Sequence, residues 1–365
     1  MNPDSADSAE DPSDNRRVYS FRKKWMFRLT ALGVPTIIGI VILVMMMDRY
    51  HFLVVEPQTG RRMIQRPLYL QEPGHKTTGH RYLFDAQLGW RNIPNWTATT
   101  NGKKLTINSK GLRDREYPYK KRDNVTRLLV LGDSFTWGYG VANDEIFTEL
   151  LETRLAASSA EYEVINTGVS GWGTDQEYLY LVDEGLRYSP DIVVLAFFLL
   201  NDPAENVSCR QYEMNKPLFL DTHLTLANVP VPKPHLRPRF GRQADPIAIT
   251  LAIMKAMSQE CQLRGATFVI MKFGRFLRPT LPMLLADERV IEKEVRSWSG
   301  TYYLDLDQQF ELAGLSAEQL TTGNSDGHWN AYGHQVTAEI LGEFLEQSEI
   351  TKGPPSGAST RQPVD

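Results

Sequence analysis

Residues 128–138, Leu-Leu-Val-Leu-Gly-Asp-Ser-Phe-Thr-Trp-Gly, hold an apolar run that stops at Gly132 and is followed at once by Asp133 and Ser134. A short run rich in branched apolar residues is typical of a strand buried on both faces of a parallel sheet. Ligands of an open α/β sheet gather just beyond the carboxyl ends of its strands. The stretch therefore predicts a strand that delivers Ser134 to the position of a nucleophile.

From residue 126 onward, strand-like and helix-like segments alternate. The predicted strands are Arg127–Leu131, Tyr162–Asn166, Asp191–Leu200, Ala266–Phe273 and Thr301–Leu306. The predicted helices are Asp144–Ala157, Thr174–Leu186, Asp245–Arg264, Ala286–Ser297 and Ala331–Gln347. Alternating βα units imply a mainly parallel sheet covered by helices on both sides, so the predicted fold class is α/β.

The N-terminal segment has the charge pattern of a membrane anchor. Residues 1–28 begin acidic and polar and carry six basic residues between positions 16 and 28, which predicts a disordered cytoplasmic tail. Residues 29–47 contain no charged side chain, and as a helix they would span about 28 Å, close to the hydrocarbon thickness of a bilayer. A core helix would alternate with polar positions, and a cleaved signal peptide would end in small residues. We therefore expect an uncleaved single-pass signal anchor, with the N-terminus in the cytoplasm and the rest of the chain outside.

The chain beyond the anchor divides into three further parts. Residues 48–125 predict a stalk and a small β-rich region, in which an Asn-Gly turn joins the hairpin strands Trp96–Thr100 and Lys103–Ile107. Residues 126–348 hold the alternating segments, and the Pro-, Gly-, Ser- and Thr-rich residues 349–365 predict a disordered tail.

An insertion interrupts the alternation. Residues 203–243 contain six prolines and leave the predicted sheet directly after Asn201-Asp202. Long loops in compact domains often act as lids or binding loops. We interpret this insertion as a lid that forms one wall of the site and shapes the choice of substrate.

Composition and spacing exclude several classes of function. The net charge of −4 and the lack of a nucleic-acid-binding motif speak against a nucleic-acid partner. The glycines of Gly168-Val-Ser-Gly171-Trp-Gly173 are in the wrong order for a dinucleotide fingerprint, and there is no phosphate loop. Cys209 and Cys261 lack metal-ligand spacing, and the sequence leaves open whether they pair in an exported domain or stay as thiols.

A candidate base and candidate hydrogen-bond donors also occur in loops next to the predicted strands and helices. A serine hydroxyl needs a base to take its proton, and a developing oxyanion needs donors already aimed at it. His328 stands just before the last predicted helix, two residues after Asp326, whereas His334 falls within that helix and is predicted to lie on its surface. The glycine-rich residues 166–173 follow the second predicted strand, and Asn201 follows the third. Three successive strands thus end in a serine, a glycine loop and an asparagine.

These four blocks, in this order and spacing, resemble the SGNH (GDSL-type) hydrolase family. Gly132-Asp133-Ser134 matches its nucleophile block, residues 166–171 its glycine block, Asn201-Asp202 its asparagine block, and residues 326–328 its C-terminal Asp/His block. The resemblance covers residues 126–347 and implies a flavodoxin-like three-layer α/β/α sandwich. It also implies an acyl-ester hydrolase or acyltransferase that uses neither a metal nor an organic cofactor.

Roles for individual residues follow from the same resemblance. It makes Ser134 the nucleophile and His328 the general base. The oxyanion hole would consist of the Ser134 N–H, the Gly171 N–H and the Asn201 side chain, with Gly168 as the alternative to Gly171.

The acid of the catalytic triad is the point at which this chain departs from the family pattern. Asp326 would orient His328, but in many members the acid stands three residues before the histidine, where this chain has Ser325. Whether Asp326 or a distant carboxylate fills the role is therefore open. The alternative α/β-hydrolase pattern requires Gly-x-Ser-x-Gly, and Thr136 stands where its second glycine would be.

Three functional hypotheses follow. Asp-x-His-Trp-Asn at residues 326–330 resembles membrane-associated relatives that act on O-acetylated polysaccharides. This resemblance favours a serine esterase that removes acetyl or other short acyl groups from a glycan outside the cytoplasm. An O-acyltransferase would use the same residues and would need a membrane partner to supply the acyl donor. A non-catalytic glycan-binding or assembly protein is the third hypothesis, and the intact Ser134, His328 and Asn201 speak against it.

Overall fold

The computed structural model forms two compact units, residues 1–67 and 68–365. In the first unit the structure describes residues 35–36, 38–42, 53–55 and 62–64. In the second unit it describes residues 82–100, 102–157, 161–212, 214–233, 245–277, 282–323, 327–348 and 350.

The N-terminal unit contains a short antiparallel pair of strands, β1 (Leu53–Val55) and β2 (Arg62–Ile64). Residues 35–36 and 38–42 are helical. The other residues of the predicted anchor, which runs from 29 to 47, lie outside the described residues. Within the part of the chain that is described, no helix is both long enough and apolar enough to cross a bilayer.

The second unit alternates strands and helices as the sequence predicts. Its strands are β3 (Tyr82–Asp85), β4 (Gly89–Asn92), β5 (Thr97–Thr100), β6 (Lys103–Thr106), β7 (Val125–Gly132), β8 (Glu161–Asn166), β9 (Ile192–Phe198), β10 (Arg210–Gln211), β11 (Met214–Asn215), β12 (Leu218–Phe219), β13 (Leu226–Ala227), β14 (Thr267–Phe273) and β15 (Thr301–Asp305). Its α-helices are α1 (Ser134–Trp137), α2 (Phe147–Leu155), α3 (Thr174–Asp183), α4 (Asp202–Glu205), α5 (Pro246–Leu263), α6 (Pro282–Val295), α7 (Leu306–Leu312), α8 (Ala317–Leu320) and α9 (Ala331–Gln347). Short 3₁₀-helices occur at Asn143–Glu145, Gly185–Tyr188 and Arg275–Leu277.

The central sheet has five parallel strands in the order β15-β14-β9-β7-β8. In register, Leu128 of β7 lies beside Val164 of β8 on one side and Ile192 of β9 on the other. The chain passes from β7 to β8 on one side and then returns to β9 on the other. The carboxyl end of β7 is therefore at the point where the strand order reverses, and this is where open α/β sheets bind ligands.

Both faces of the sheet are covered, which explains why its strands read as continuous apolar runs. Along β7, Leu129 and Leu131 belong to one buried cluster, and Leu128 and Val130 belong to the other. The first cluster includes apolar side chains of α3, α5 and α6, and the second includes those of α2 and α9. The predicted three-layer α/β/α sandwich is confirmed.

The ends of several elements differ from the prediction, among them those of β9, α3 and α6. Strand β9 ends at Phe198, because Leu199 and Leu200 already form the turn towards α4. Helix α3 ends at Asp183 and passes into a 3₁₀ turn rather than continuing to Leu186. Helix α6 begins at Pro282, before the predicted Ala286, because proline needs no N–H donor in the first turn of a helix.

The two cysteines do not pair. Cys209 and Cys261 are both buried, and no disulfide joins them. Burial raises the pKa of Cys261 to about 12, so this thiol stays protonated at neutral pH. The alternative of a disulfide, which the sequence left open, is thus absent from the structure.

The described part of the insertion packs against the main domain. It begins with α4 and continues through two antiparallel strand pairs, β10–β11 and β12–β13. The fully buried Lys216 lies just after β11, and its Nζ atom donates to Asp175 Oδ1 of α3 at 2.7 Å and to the Glu205 carbonyl at 3.0 Å. These bonds fasten the insertion beside the carboxyl ends of β7 and β9.

Candidate active site

Ser134 lies at the sheet's carboxyl edge because the chain turns sharply between β7 and α1. A Cβ atom at Gly132 would come within 2.1 Å of Thr136 Oγ1, so only glycine allows this close approach. Asp133 caps α1, and its Oδ1 atom accepts a hydrogen bond from the Phe135 N–H at 2.9 Å. The first residue of the helix is Ser134 itself, and it is only partly buried.

His328 meets Ser134 across a separation of 194 residues in sequence. Its Nε2 atom lies 2.7 Å from Ser134 Oγ, within hydrogen-bonding distance. The imidazole is held between two rings, with centroid distances of 4.8 Å to Phe135 and 4.7 Å to Tyr139. The Thr322 N–H donates to the His328 carbonyl at 2.9 Å and anchors the loop. The predicted nucleophile and base are therefore in contact, whereas Asp326 lies outside the described residues.

The structure distinguishes between the two glycines that the sequence left as alternatives for the oxyanion hole. The Gly168 N–H already donates to Asn166 Oδ1 at 2.9 Å. Gly171 has a φ of 79°, in the left-handed region, and the Tyr212 ring lies over it. Within the described part of the chain, no hydrogen bond engages the Gly171 N–H. The geometry favours Gly171 as the donor.

Asn201 lies in the turn after β9, at the same edge of the sheet. Its Nδ2 atom donates to Asp133 Oδ2 at 3.4 Å. Burial raises the pKa of the neighbouring Glu205 carboxyl group, and the Asn201 side chain opposes this rise. The Asp133 carboxyl group thus orients the amide, and the role of Asn201 as an oxyanion donor stays a prediction.

Replacing Gly171 by alanine should displace its N–H from the oxyanion hole. We therefore expect kcat for p-nitrophenyl acetate to fall by about 10²- to 10³-fold, the usual cost of losing one oxyanion donor. A Cβ atom there would come within 2.8 Å of the Tyr212 ring, and the left-handed backbone would also become strained. Gly265→Ala is the matched control, because Gly265 has a φ of 69° and no atom within 4 Å of an added Cβ. Equal losses in the two variants would contradict a special role for Gly171.

Several supporting residues could not be found from the sequence, because they belong to the small β-rich region. The Trp90 Nε1–H donates to the Ser170 carbonyl at 3.1 Å, and Asn92 Nδ2 donates to the Gly168 carbonyl at 3.2 Å. The buried Arg113 guanidinium donates to the carbonyl groups of three residues that follow the nucleophile, Trp137, Gly138 and Val141. The region that precedes the sheet thus fixes both loops that surround Ser134.

A cluster of buried acids lies behind the site. We call it the carboxyl cluster, and its members are Asp133, Asp175, Glu177, Asp202 and Glu205. Burial is the main cause that raises the pKa of every member, to about 6 for Asp133 and about 8 for Glu205. Lys216 contacts the cluster through Asp175. Neither carboxyl oxygen of Glu177 has a hydrogen-bond partner within the described residues.

A second group of acids has the spacing of metal ligands but already surrounds an amine. Ligand atoms of Glu288, Asp305 and Asp307 lie within 4.8 Å of one another. The Lys272 Nζ atom bonds to all three, at 2.7 Å from Asp305 Oδ1 and 3.1 Å from Asp307 Oδ2. The Lys272 ammonium group therefore takes the place that a metal ion would occupy.

The prediction that His334 lies on the surface of the last helix is wrong. This side chain is 1% exposed, and its Nδ1 atom accepts a hydrogen bond from the Phe147 N–H at 3.3 Å. Burial lowers the pKa of His334 to about 3, so the ring is neutral. Helix α2 covers this position of α9, and the Phe147 N–H at the start of α2 is the hydrogen-bond donor for the buried ring.

Solved structures with a similar chain path are distant in sequence. They include a lipase/acylhydrolase from Enterococcus faecalis, with 18% identity, a TM-score of 0.42 and coverage of 64% of this chain and 100% of that one. An acetylxylan esterase from Geobacillus stearothermophilus has 16% identity, a TM-score of 0.40 and coverage of 61% and 93%. The esterase EstA from Pseudoalteromonas sp. has 15% identity, a TM-score of 0.39 and coverage of 62% and 99%. No curated protein matches the chain.

The family comparison agrees with the site. The sequence model of the GDSL-like lipase/acylhydrolase family matches residues 130–336, which are more than half of the chain. This range begins within β7, just before Ser134, and ends within α9, just after His328. The protein is therefore a member of the GDSL-like (SGNH) lipase/acylhydrolase family and an ester hydrolase.

Proposed function

We propose that the protein is a serine esterase that removes acetyl or other short acyl groups from a glycan. The observation that carries the proposal is the 2.7 Å contact between Ser134 Oγ and His328 Nε2 at the carboxyl edge of the sheet. A serine hydroxyl becomes an effective nucleophile when a base at this distance can take its proton. Membership of an acyl-ester hydrolase family supports the same reaction.

In the acylation step, Ser134 Oγ would attack the ester carbonyl while His328 Nε2 takes the hydroxyl proton. The negative charge that develops on the carbonyl oxygen would be stabilised by the Ser134 and Gly171 N–H groups and the Asn201 amide. His328 would then donate its proton to the departing alcohol oxygen. In the second half of the reaction, a water molecule attacks the acyl-enzyme with His328 again acting as the base.

The test is turnover of p-nitrophenyl acetate and of an O-acetylated xylo-oligosaccharide by the full chain, with acetate release measured directly. We expect acetate to be released faster than acetyl groups appear on an added unacetylated oligosaccharide. Faster transfer than hydrolysis would support an O-acyltransferase, and a lack of turnover on both substrates would support the non-catalytic hypothesis.

The proposal includes Asp326 as the acid that orients His328. Asp326→Asn should lower kcat by about 10³- to 10⁴-fold, because the imidazole would then favour the wrong tautomer. Ser325→Ala serves as the control, since Ser325 stands at the position where many relatives carry the acid. Activity of Asp326→Asn near that of the wild type would assign the role to a different carboxylate.

The proposal also places the enzyme outside the cytoplasm, anchored through residues 29–47. The support is the charge-free segment that follows a basic cluster, which orients anchors with the N-terminus inside. Protease treatment of intact cells should degrade the catalytic domain and leave a short membrane-bound fragment. Protection of the whole chain until the membrane is lysed would reject this topology.

A further inference from the structure

An open cavity adjoins the predicted oxyanion hole. Its volume is about 380 Å³, within the range of small-molecule sites. Its lining residues are Leu200, Asn201, Ala204, Glu205, Ser208 and Gln211. Because Asn201 belongs both to this lining and to the predicted oxyanion hole, the cavity begins where the carbonyl of a bound ester would lie.

The lining combines apolar surface with four polar side chains, and none of its described residues is basic. Gln211 Nε2 donates to Glu205 Oε1, and the other carboxyl oxygen of Glu205 has no partner within the described residues. Glu205 is 3% exposed, and burial raises its pKa to about 8, so it is mostly uncharged at pH 7. An acyl chain in this cavity would leave polar groups unpaired, and an anion would find no cation to bind. A neutral compound with several hydroxyl groups fits the lining best.

An exposed aromatic ring stands beside this lining. Tyr212 follows Gln211 directly, is 54% exposed and lies over Gly171. Its phenol combines a flat apolar face with a polar hydroxyl. A sugar ring has the matching character, since apolar C–H groups cover its faces and hydroxyl groups surround its edge.

We propose that the cavity formed by residues 200–211, together with the neighbouring Tyr212 ring, binds the sugar ring that carries the ester. This inference rests on the proposed esterase function and adds to it a location for the alcohol part of the substrate. It also assigns Ala204 and Gln211 as residues that determine specificity.

The test compares three esters that differ in one part at a time: O-acetylated xylotriose, ethyl acetate and ethyl hexanoate. Ala204→Trp fills the cavity from an exposed position of α4, and Gln211→Leu removes polar groups without a large change in volume. Ala286→Trp, at an exposed position of α6, is the matched control. We expect both cavity variants to lower kcat/KM for acetylated xylotriose at least tenfold, mainly through KM, and to change it less than twofold for ethyl acetate.

The other outcomes each have a defined meaning. A loss confined to ethyl hexanoate would show that the cavity holds the acyl chain, and an equal loss on all three esters would show that it only supports Asn201. Both results overturn the sugar subsite. Wild-type turnover of ethyl acetate without turnover of acetylated xylotriose would overturn the subsite and the glycan as substrate, and would leave ester hydrolysis at Ser134 intact. A lack of turnover on all three esters would reject both.

Discussion

Ser134→Ala should lower kcat for p-nitrophenyl acetate by about 10⁴- to 10⁶-fold, the range seen when the nucleophile of a serine hydrolase is removed. The physical reason is that alanine cannot form the acyl-enzyme, whereas the oxyanion donors stay in place. Ser170→Ala is the matched control. Ser170 belongs to the neighbouring glycine loop, and its Oγ atom has no hydrogen-bond partner within the described residues.

Ser134 and His328 also allow a prediction about whether the losses of activity in their variants are additive. Because Ser134 and His328 act as one unit across their 2.7 Å contact, His328→Ala should cost about as much as Ser134→Ala. The double variant should be no slower than either single one. If the two losses multiplied instead, Ser134 and His328 would act independently, and the proposed mechanism would be wrong.

We expect the free energy of unfolding to fall as pH rises from about 4 to 8, because of the carboxyl cluster. An acid whose pKa is raised by folding holds a proton that the unfolded chain releases. Its contribution is therefore fully present below the ordinary pKa of about 4 and is lost as pH rises towards the folded pKa. That value is about 6 for Asp133 and about 8 for Glu205. Each such proton changes stability by about 1.4 kcal/mol per pH unit.

Glu177→Gln tests this prediction at the member of the cluster that has no hydrogen-bond partner within the described residues. Urea unfolding between pH 5 and 8 should show a shallower slope, by at most about 1.4 kcal/mol per pH unit for the one proton removed, so the variant gains stability relative to the wild type at pH 8. Glu163→Gln is the opposing control. Burial alone would raise the pKa of Glu163, but its hydrogen bonds and ion pairs with Arg127 and Arg122 lower it. Glu163→Gln should therefore lose stability at neutral pH, and a loss in Glu177→Gln that is the same at pH 5 and pH 8 would contradict the prediction.

The sheet and the nucleophile were predictable because their signals are local. The predicted strand at Arg127–Leu131 lies within β7, and the sharp stop at Gly132 marks the position of Ser134. Similarly, the helix Ala331–Gln347 has the predicted bounds, since Asn330 caps it and an apolar stripe runs along it. Local patterns of this kind reflect backbone geometry and burial on one face, and both are set by neighbours in sequence.

The choice between Gly168 and Gly171 required the tertiary structure. Both are glycines in one loop, and only the bond from the Gly168 N–H to Asn166 Oδ1 shows which N–H is already engaged. The burial of His334 was missed for a related reason, because the helix α2 that covers it lies far away in sequence. A side chain's hydrogen-bond partner depends on packing between elements, and no short pattern records it.

The sequence by itself determined the parallel sheet and the position of Ser134 at its edge, and its resemblance to the SGNH family implied the pairing of Ser134 with His328. Each of these depends on residue type and spacing within one segment or on a familiar order of segments. Only the tertiary structure decided that Trp90 and Asn92 support the glycine loop and that the carboxyl cluster gathers acids from the turn after β7, from α3 and from α4. In water these acids would ionise with ordinary pKa values, and it is their shared burial that raises those values.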